Sequence, residues 1–472
     1  MLRTGAQYLK GLNDGRRVFL GREQIIDVSE HPVFRNAAQT IASIFDLKRE
    51  KFTESADREG FYSDYFLSAR NVDDLSKRTA AHRAIAQSTL GLLGRSPDYV
   101  ASFVTGMAMT PDLFGEFSDN ISTYYRTLRD ADLYLAHAVV PHQAVRDPKV
   151  YGLPNQLAQT CRVVSEDSAG VVVSGMKMLA TGAILADEIW IGNILPLADA
   201  QRSESITFSV PVNAPGISLW SRKPFGSAST AHFDSPLSLR FDETDCVVLL
   251  DKVQVPWNRV FVHNQPKLAR DIYIATPAHV LGNHQSSVRY HEKLRFMVGL
   301  ASTMTEASGI RDIPQVREVL GKLAASEAML EGMILGQTHA AEAWAPSFVA
   351  YNRRIMYATM NWCAETYPSL VDTLRELSGS SMFQMPADSS VLEDGDLLST
   401  FRTYWDTPRL EAPARMKLVR LTWDLVGSEF AGRQIQYEKL FAGPPFILKS
   451  HSFREARWDE LHDLVAQFID GY

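Results

Sequence analysis

The stretch Leu92–Tyr99, LLGRSPDY, places a guanidinium, a hydroxyl, a carboxylate and a proline together, directly after an apolar run. Pro97 disfavours a helical conformation at Ser96 and is well suited to the first turn of a helix. The stretch therefore predicts a helix that ends near Gly94, a tight turn, and a second helix that begins at Pro97. Polar groups at such a junction can point into a pocket, although a plain helix start with a surface Arg95 fits the same pattern.

The residues around this junction repeat apolar side chains at helical spacing. Helices are predicted from His31-Pro32 onward, over 72–94, from Pro97, and over 111–135. From Tyr134 to Ala275 the pattern changes to short runs of period two, separated by turns, which favours an antiparallel barrel or a sandwich. From Thr276 the pattern is helical again, with long apolar stripes over 280–308, 313–345, 347–366 and 411–440. Four such helices are typical of a bundle, whose surplus apolar surface commonly forms oligomer contacts.

Composition limits the classes of protein that the chain can belong to. The 472 residues are 45% hydrophobic and 22% charged, with a net charge of −7 and no strongly basic patch, so nucleic acid is not an expected partner. No uncharged run of about 18 apolar residues occurs, so no membrane span is expected. The N-terminus lacks the apolar segment of a signal peptide. Only three cysteines occur, far apart and without a CxxC, which favours a reducing, cytoplasmic compartment.

Common motifs for phosphate, metal and acyl chemistry are absent from the sequence. No GxGxxG or GxxxxGK[ST] follows a strand pattern, and neither HExxH nor GxSxG occurs. His284, His291 and Glu292 share one predicted helix, but their spacing fits no zinc signature. The remaining candidates are polar groups at junctions between the predicted parts.

Three segments carry such groups. LAHAVVPHQAVRD, residues 135–147, places His137 at the change from helical to strand character, and it forms either a ligand-binding loop or a satisfied connection. SGMKMLATGAILADE, residues 174–188, places Thr181 beside small residues, where it could bind a flavin or simply end a strand. DLVGSEFAGRQIQYEKLFAG, residues 424–443, is rich in small residues, so either a cofactor or a neighbouring helix could approach its backbone closely.

Taken together and in order, these motifs resemble one enzyme family. GRSPDY, HAVVPHQAVRD, DSAGVVVSGMKMLATGA, LRFDETDCVVLLDKVQVPWNRVFV, HQSSVRYHEKLRF and DLVGSEFAGRQIQYEKLFAG are similar to the oxygenase component of 4-hydroxyphenylacetate 3-monooxygenase. The resemblance runs from about residue 3 to about residue 443. It implies an acyl-CoA dehydrogenase-like α+β fold: a helical N-terminal domain over 1–135, an antiparallel β-barrel over 136–275 and a C-terminal four-helix bundle over 276–472. The family is usually a homotetramer.

The resemblance also implies roles for individual residues. It assigns the phenol oxygen to Arg95, Tyr99 and His137, which are the implied catalytic groups, and places Asn193 and Ile194 on the substrate side. It implies flavin contacts at the following residues: Gln143, Ala144, Val145, Arg146, Thr181, Ser428, Phe430, Ala431, Gly432 and Arg433. The Ser428–Arg433 segment is expected to reach the flavin across a subunit interface. No metal is implied.

The implied reaction is ortho hydroxylation of a phenol by a flavin hydroperoxide formed from FADH2 and O2, with FMNH2 the less favoured flavin. A separate NAD(P)H-dependent reductase would supply FADH2, which agrees with the absent dinucleotide motifs. Arg95, which is permanently charged, would stabilise the phenolate, and a positioned acid–base group is worth about 10²–10⁴-fold in rate. Hydroxyphenylacetate, halophenols, nitrophenols and carrier-bound phenols all fit. The alternative is an acyl-CoA dehydrogenase or dehydratase-like flavoenzyme, with Glu292 or Glu327 as its base.

Overall fold

The computed structural model describes residues 2–51, 61–143, 158–226 and 231–471. The first part of the chain is mainly helical, as predicted. Its helices are α1 (Gly5–Gly11), α2 (Arg35–Lys51), α3 (Val72–Ser88), α4 (Pro97–Ala108) and α5 (Ser118–Asp130). Two short strands, β1 (Val18–Leu20) and β2 (Glu23–Ile25), form an N-terminal hairpin.

The middle of the chain contributes eight further strands. They are β3 (Leu135–Ala138), β4 (Arg162–Glu166), β5 (Gly170–Lys177), β6 (Glu188–Ile191), β7 (Thr207–Pro211), β8 (Ile217–Ser221), β9 (Cys246–Pro256) and β10 (Val260–Val262), with a short helix α6 (Ser238–Phe241) before β9. Six strands form one sheet in the order β2-β1-β8-β9-β5-β4, and four form another in the order β10-β7-β6-β3.

The predicted antiparallel barrel needs correction in closure and in strand direction. Among the described residues the strands form two open sheets, and β1–β8 and β3–β6 are parallel pairs. In the two parallel pairs, β1 from the first part of the chain and β3, which follows the N-terminal helices, pair with strands that come later in the sequence. Alternation of apolar residues identifies the buried face of a strand, as along β5, but it does not encode the direction of its partner.

The last part of the chain is a stack of helices. They are α7 (Pro266–Ile274), α8 (Ala278–Ala307), α9 (Pro314–His339), α10 (Arg353–Ser378), α11 (Gly395–Trp405), α12 (Ala412–Val426), α13 (Glu429–Leu440), α14 (Pro445–Arg454) and α15 (Trp458–Ile469). A hairpin of β11 (Glu342–Ala345) and β12 (Phe348–Ala350) interrupts the predicted helices between α9 and α10. The fourth predicted helix is divided after Gly427, where the Ser428 side chain accepts the Ala431 N–H at 3.1 Å and starts α13.

The LLGRSPDY stretch takes a more extended route than predicted. Helix α3 ends at Ser88, not near Gly94, because Leu90 and Gly91 adopt positive φ angles of 53° and 64°. A Cβ on Gly91 would lie 2.2 Å from the carbonyl oxygen of Arg289, so glycine lets this turn lie directly on α8. Helix α4 begins at Pro97, as predicted.

One apolar core joins the three parts of the chain. This cluster of buried apolar residues extends from Tyr8 through the strands to Phe430, and it continues across the predicted domain boundaries. The division into separate domains at residues 136 and 276 stays a prediction. None of the helices in the described ranges is long and apolar enough to cross a bilayer.

Candidate active site

A cavity of about 470 Å³ lies where the N-terminal helices, the sheets and the C-terminal helices meet. This volume falls in the range of small-molecule sites, roughly 300–1,000 Å³. The polar or charged side chains that line it are Arg95, Tyr99, His137, Thr181, Asp245, Tyr273, His279, Asn283, Arg433, Gln436 and Tyr437. The remaining wall is largely apolar, and helices α4, α7, α8 and α13 each contribute to it.

Arg95 lies just before the start of α4, and contacts to the backbone and to the side chain of Arg95 hold it in place. Its N–H donates to Glu243 Oε1 at 2.5 Å, and its carbonyl accepts the Tyr134 hydroxyl at 2.6 Å. Its guanidinium lies 4.1 Å from the centre of the Tyr99 ring and 3.9 Å from that of Phe441. Nη2 donates to the Phe441 carbonyl, whereas Nη1 is buried without a partner among the described residues. The side chain is therefore stacked in place, and its Nη1 amino group is left for a ligand.

Tyr99 and His137 complete the polar group around Arg95. Their ring centres lie 5.8 Å apart, with Tyr99 on α4 one turn after Arg95 and His137 on β3. Burial raises the pKa of Tyr99, against the opposing charge of Arg95. Burial, and secondarily Arg95, lowers the pKa of His137 to about 3, so the ring is neutral near pH 7. His137 Nδ1 has no partner among the described residues, so this nitrogen is also free to serve a ligand.

An ion-pair network closes the side of the cavity where Thr181 lies. Arg433 donates to Asp245 at 2.7 and 3.1 Å and to Glu243 at 3.0 Å. Asp245 also accepts from Arg222 at 2.9 Å and from the Thr181 hydroxyl at 2.6 Å. The two guanidinium groups hold the pKa of Asp245 far below its usual range despite burial. Since the Thr181 proton is committed to a carboxylate, its oxygen faces the cavity as a hydrogen-bond acceptor.

The structure brings some of the predicted site residues to this cavity and leaves others outside its wall. Arg95, Tyr99, His137, Thr181, Ile194 and Arg433 line it. Asn193 does not, because its side chain accepts from Lys177 and donates to the Glu204 and Ile206 carbonyls. Gln143 is exposed and does not line it, and Ala144, Val145 and Arg146 lie outside the described residues.

Most of the Ser428–Arg433 segment also lies off the cavity wall. Helix α13 meets the cavity with its second half, from Arg433 to Leu440, while Ser428 caps the helix and Phe430 packs against Phe225. Ala431 is buried, and a Cβ on Gly432 would find nothing within 4 Å. Flavin contacts by Ser428, Phe430, Ala431 and Gly432 therefore stay predictions.

Several residues of the site were missed by the sequence analysis. Tyr437 and Phe441 pack around Arg95, and Glu243 anchors both Arg95 and Arg433. His279 and Asn283 enter the cavity from α8. The run of carboxylates at 242–245 was the one signal that could have pointed to Glu243 and Asp245.

Buried ion pairs and hydrogen bonds between helices hold the elements that surround the site in place. Glu438 on α13 accepts from Arg289 of α8 at 2.6 and 2.8 Å and also pairs with Lys293. The two cations hold the pKa of Glu438 at about 2 in spite of its burial. Asp98, to which no role was assigned, bonds His82 Nδ1 at 2.7 Å, which ties α4 to α3. These pairs fix helices α4 and α13, which carry Tyr99 and Tyr437.

The order of helices, two sheets and helices around a central cavity is that of the acyl-CoA dehydrogenase-like proteins. An archaeal 4-hydroxybutyryl-CoA dehydratase from N. maritimus has the same fold, with a TM-score of 0.89 over 100% of this chain and 95% of that one, at 15% identity. Within this class, the chain belongs to the 4-hydroxyphenylacetate 3-hydroxylase family. The family's N-terminal model matches residues 4–262 and its C-terminal model matches residues 269–470.

Relatives of known name cover nearly the whole chain. A pyoverdin chromophore biosynthetic protein of Pseudomonas aeruginosa is 32% identical, over 94% of this chain and 89% of the relative. The oxygenase component of 4-hydroxyphenylacetate 3-monooxygenase of Thermus thermophilus is also 32% identical, over 94% and 92%. A solved structure of that kind of oxygenase component, complexed with FAD and 4-hydroxyphenylacetate, has a TM-score of 0.93 over 99% and 98%, at 30% identity.

Proposed function

We propose that the chain is the oxygenase component of a two-component phenol hydroxylase. It would use FADH2 from a separate reductase, together with O2, to hydroxylate a phenol ortho to its hydroxyl group. The observation that carries this proposal is Nη1 of Arg95, which has no partner in the described part of the chain and lies beside Tyr99 and His137 in the cavity. Such a group suits an oxygen that becomes negative during the reaction.

Arg95 has the main electrostatic role in this proposal. A phenolate is a much better carbon nucleophile than a phenol, and a guanidinium stays charged throughout the physiological pH range. Its stacking on the Tyr99 and Phe441 rings fixes its direction before substrate arrives, so little reorganisation is needed. Arg95 is therefore assigned to stabilise the phenolate oxygen.

Tyr99 and His137 are assigned to hydrogen-bond the same oxygen and to handle its proton. The neutral imidazole of His137, with a pKa of about 3, can accept a hydrogen bond from a phenol and does not compete with Arg95 for negative charge. The Tyr99 hydroxyl, whose pKa is raised, stays protonated and serves as a donor. The aromatic wall around these groups keeps water from the reacting atoms.

The residues that line the cavity fit a flavin. When bound, reduced FAD supplies the electrons that activate O2 for transfer of one oxygen atom to the ring. Thr181, with an oxygen available only as an acceptor, suits an N–H group of a reduced isoalloxazine, and Arg433 is assigned to hold the wall beside it. FAD is preferred to FMN because the similar oxygenase structure holds FAD. Gln143 to Arg146 and the start of α13 complete the proposed flavin site.

The proposal includes partners beyond flavin and phenol. A separate NAD(P)H:flavin reductase is supported by the absence of a dinucleotide motif from the sequence. A homotetramer is supported by the exposed apolar side chains of Leu461, Leu464 and Val465 on α15. A cytoplasmic location is supported by three cysteines that are all free.

The acyl-CoA alternative has less support. The similarity to an acyl-CoA enzyme stands at 15% identity and concerns the fold alone. Neither Glu292 nor Glu327 lines the cavity, and Glu292 accepts from Arg295 at 2.8 Å. An acyl-CoA base would need to reach the substrate from this cavity.

The proposal is tested by mixing the protein with chemically reduced FAD, O2 and simple phenols. Catechol formation is expected, with FAD released on oxidation. Tight retention of FAD, with bleaching by acyl-CoA thioesters and no catechol, would contradict the proposal.

A further inference from the structure

A second polar pair, His279 and Asn283, faces the cavity beside Phe103. Phe103 lies with its ring centre 6.5 Å from that of His137 and 6.3 Å from that of His279. Asn283 follows His279 by one turn on α8, and both line the cavity. The cavity therefore has one polar group for a phenol oxygen and a second polar pair that also borders Phe103.

The side chain of Asn283 presents an acceptor that the protein does not use. Its Nδ2 donates to the His279 carbonyl at 2.7 Å, which fixes the orientation of the amide. Oδ1 is left buried and has no partner in the described part of the chain. Because burying an unpaired carbonyl is unfavourable, this oxygen is suited to receive an N–H or O–H group of a ligand.

His279 is a neutral neighbour of that acceptor. Its Nδ1 lies 2.9 Å from the Tyr357 hydroxyl, so Nε2 is its other polar atom. Burial, helped by the charges of His451 and Arg454, lowers its pKa to about 3. The pair thus offers hydrogen bonds without a positive charge.

The charges around the pair do not suit an anion. Among the described residues that line the cavity, the cations are Arg95 and Arg433, and Arg433 is already bonded to Asp245 and Glu243. Arg454, outside the wall, is paired with Glu455 at 2.9 Å. A carboxylate beside Asn283 would therefore lose its hydration while the one uncommitted cation on the described cavity wall, Arg95, is assigned to the phenol oxygen.

We propose that Asn283 and His279 form a second polar subsite, which binds an uncharged hydrogen-bond donor at the end of the substrate remote from the phenol oxygen. The substrates are then phenols with a hydroxyl or carboxamide substituent rather than a carboxylate. This inference rests on the proposed function for the identity of the phenol end. It adds the chemical class of the remaining substituent.

Binding is measured by the quench of tryptophan fluorescence, since Trp190 lines the cavity. The probes are 4-(2-hydroxyethyl)phenol and its apolar isostere 4-propylphenol, and 4-hydroxyphenylacetamide with its anionic counterpart 4-hydroxyphenylacetate. The wild type is expected to bind the alcohol and the amide about tenfold more tightly than their counterparts. Equal binding of the alcohol and 4-propylphenol, or tighter binding of the carboxylate than of the amide, would overturn the proposal.

The variants test whether Asn283 causes this preference. Asn283→Leu is expected to reduce the ratio of the affinities for the alcohol and for 4-propylphenol to roughly one. Asn283→Asp is expected to bind the ammonium of 4-(2-aminoethyl)phenol about tenfold more tightly than the alcohol. The control is Asn361→Leu, since Asn361 also donates to the carbonyl four residues earlier but does not line the cavity. This variant is expected to keep the alcohol-to-propyl binding ratio of the wild type. Unchanged ratios in both Asn283 variants would refute the subsite. Wild-type preference without any catechol formation would instead refute the hydroxylase and leave the subsite standing.

Discussion

The buried imidazole of His279 makes stability depend on pH in a way that one substitution removes. In the native state burial and nearby positive charge lower its pKa to about 3, from the usual 6.5. Below pH 6.5 the unfolded chain therefore binds a proton that the native chain does not, so acid favours unfolding. For a single site with these values, the native state loses about 2 kcal/mol between pH 7.5 and pH 5.0. Above pH 7.5 the same group contributes almost nothing.

His279→Asn removes this titration while placing an amide near the position of Nδ1, which faces the Tyr357 hydroxyl. We expect the variant to be less stable than the wild type at pH 7.5, and the difference to shrink by about 2 kcal/mol at pH 5.0. Urea unfolding at the two pH values, followed by fluorescence, measures both differences. His462→Asn, at an exposed position of α15, is the matched control and is expected to keep the wild-type pH dependence. A His279 variant whose deficit is the same at both pH values would refute the reasoning.

Three further predictions concern the site and its supports. Arg95→Ala is expected to divert reduced flavin and O2 into H2O2 and to lower catechol yield by about 10²-fold, as followed by peroxide and catechol assays; a normal yield would remove Arg95 from the reaction. Glu438→Gln is expected to lower the unfolding free energy measured in urea by about 3–5 kcal/mol, because Arg289 and Lys293 stay buried without their carboxylate partner. The control Glu429→Gln breaks an exposed pair with Lys223 and is expected to cost at most about 1 kcal/mol. Gly282→Ala is expected to lower the melting temperature, at a cost of about 1–3 kcal/mol, since its Cβ would lie 1.9 Å from the Phe103 ring. Gly299→Ala, on the same helix but with open space around it, is expected to stabilise the protein by up to about 1 kcal/mol. Equal effects of the two substitutions would contradict this packing.

Local chemistry explains what could be predicted from the sequence. The start of α4 followed from Pro97, because proline acts on its immediate neighbours. The order of helical and strand parts followed from the periods of apolar residues. The motif resemblance brought Arg95, Tyr99 and His137 together as substrate contacts, and all three line one cavity.

The remainder depends on contacts between residues far apart in the chain. Glu243 meets the backbone of Arg95 across 148 positions and the side chain of Arg433 across 190, and neither contact leaves a local pattern. His279 and Asn283 lie within a helix segment that is buried all round, so its periodicity does not distinguish the cavity from the core. Period two did not distinguish a barrel from a sandwich, and the barrel that the resemblance implied is replaced by two open sheets among the described residues.

The central claim is that this chain transfers one oxygen atom from O2 to a phenol. The direct measurement is a reaction under ¹⁸O2 with chemically reduced FAD and 4-(2-hydroxyethyl)phenol, followed by mass spectrometry of the product. The account predicts a catechol that carries one ¹⁸O atom in its new hydroxyl group and a lower yield with Arg95→Ala. A catechol without ¹⁸O in its new hydroxyl group, or oxidation of the flavin with release of H2O2 and no change in a panel of phenols, would contradict it.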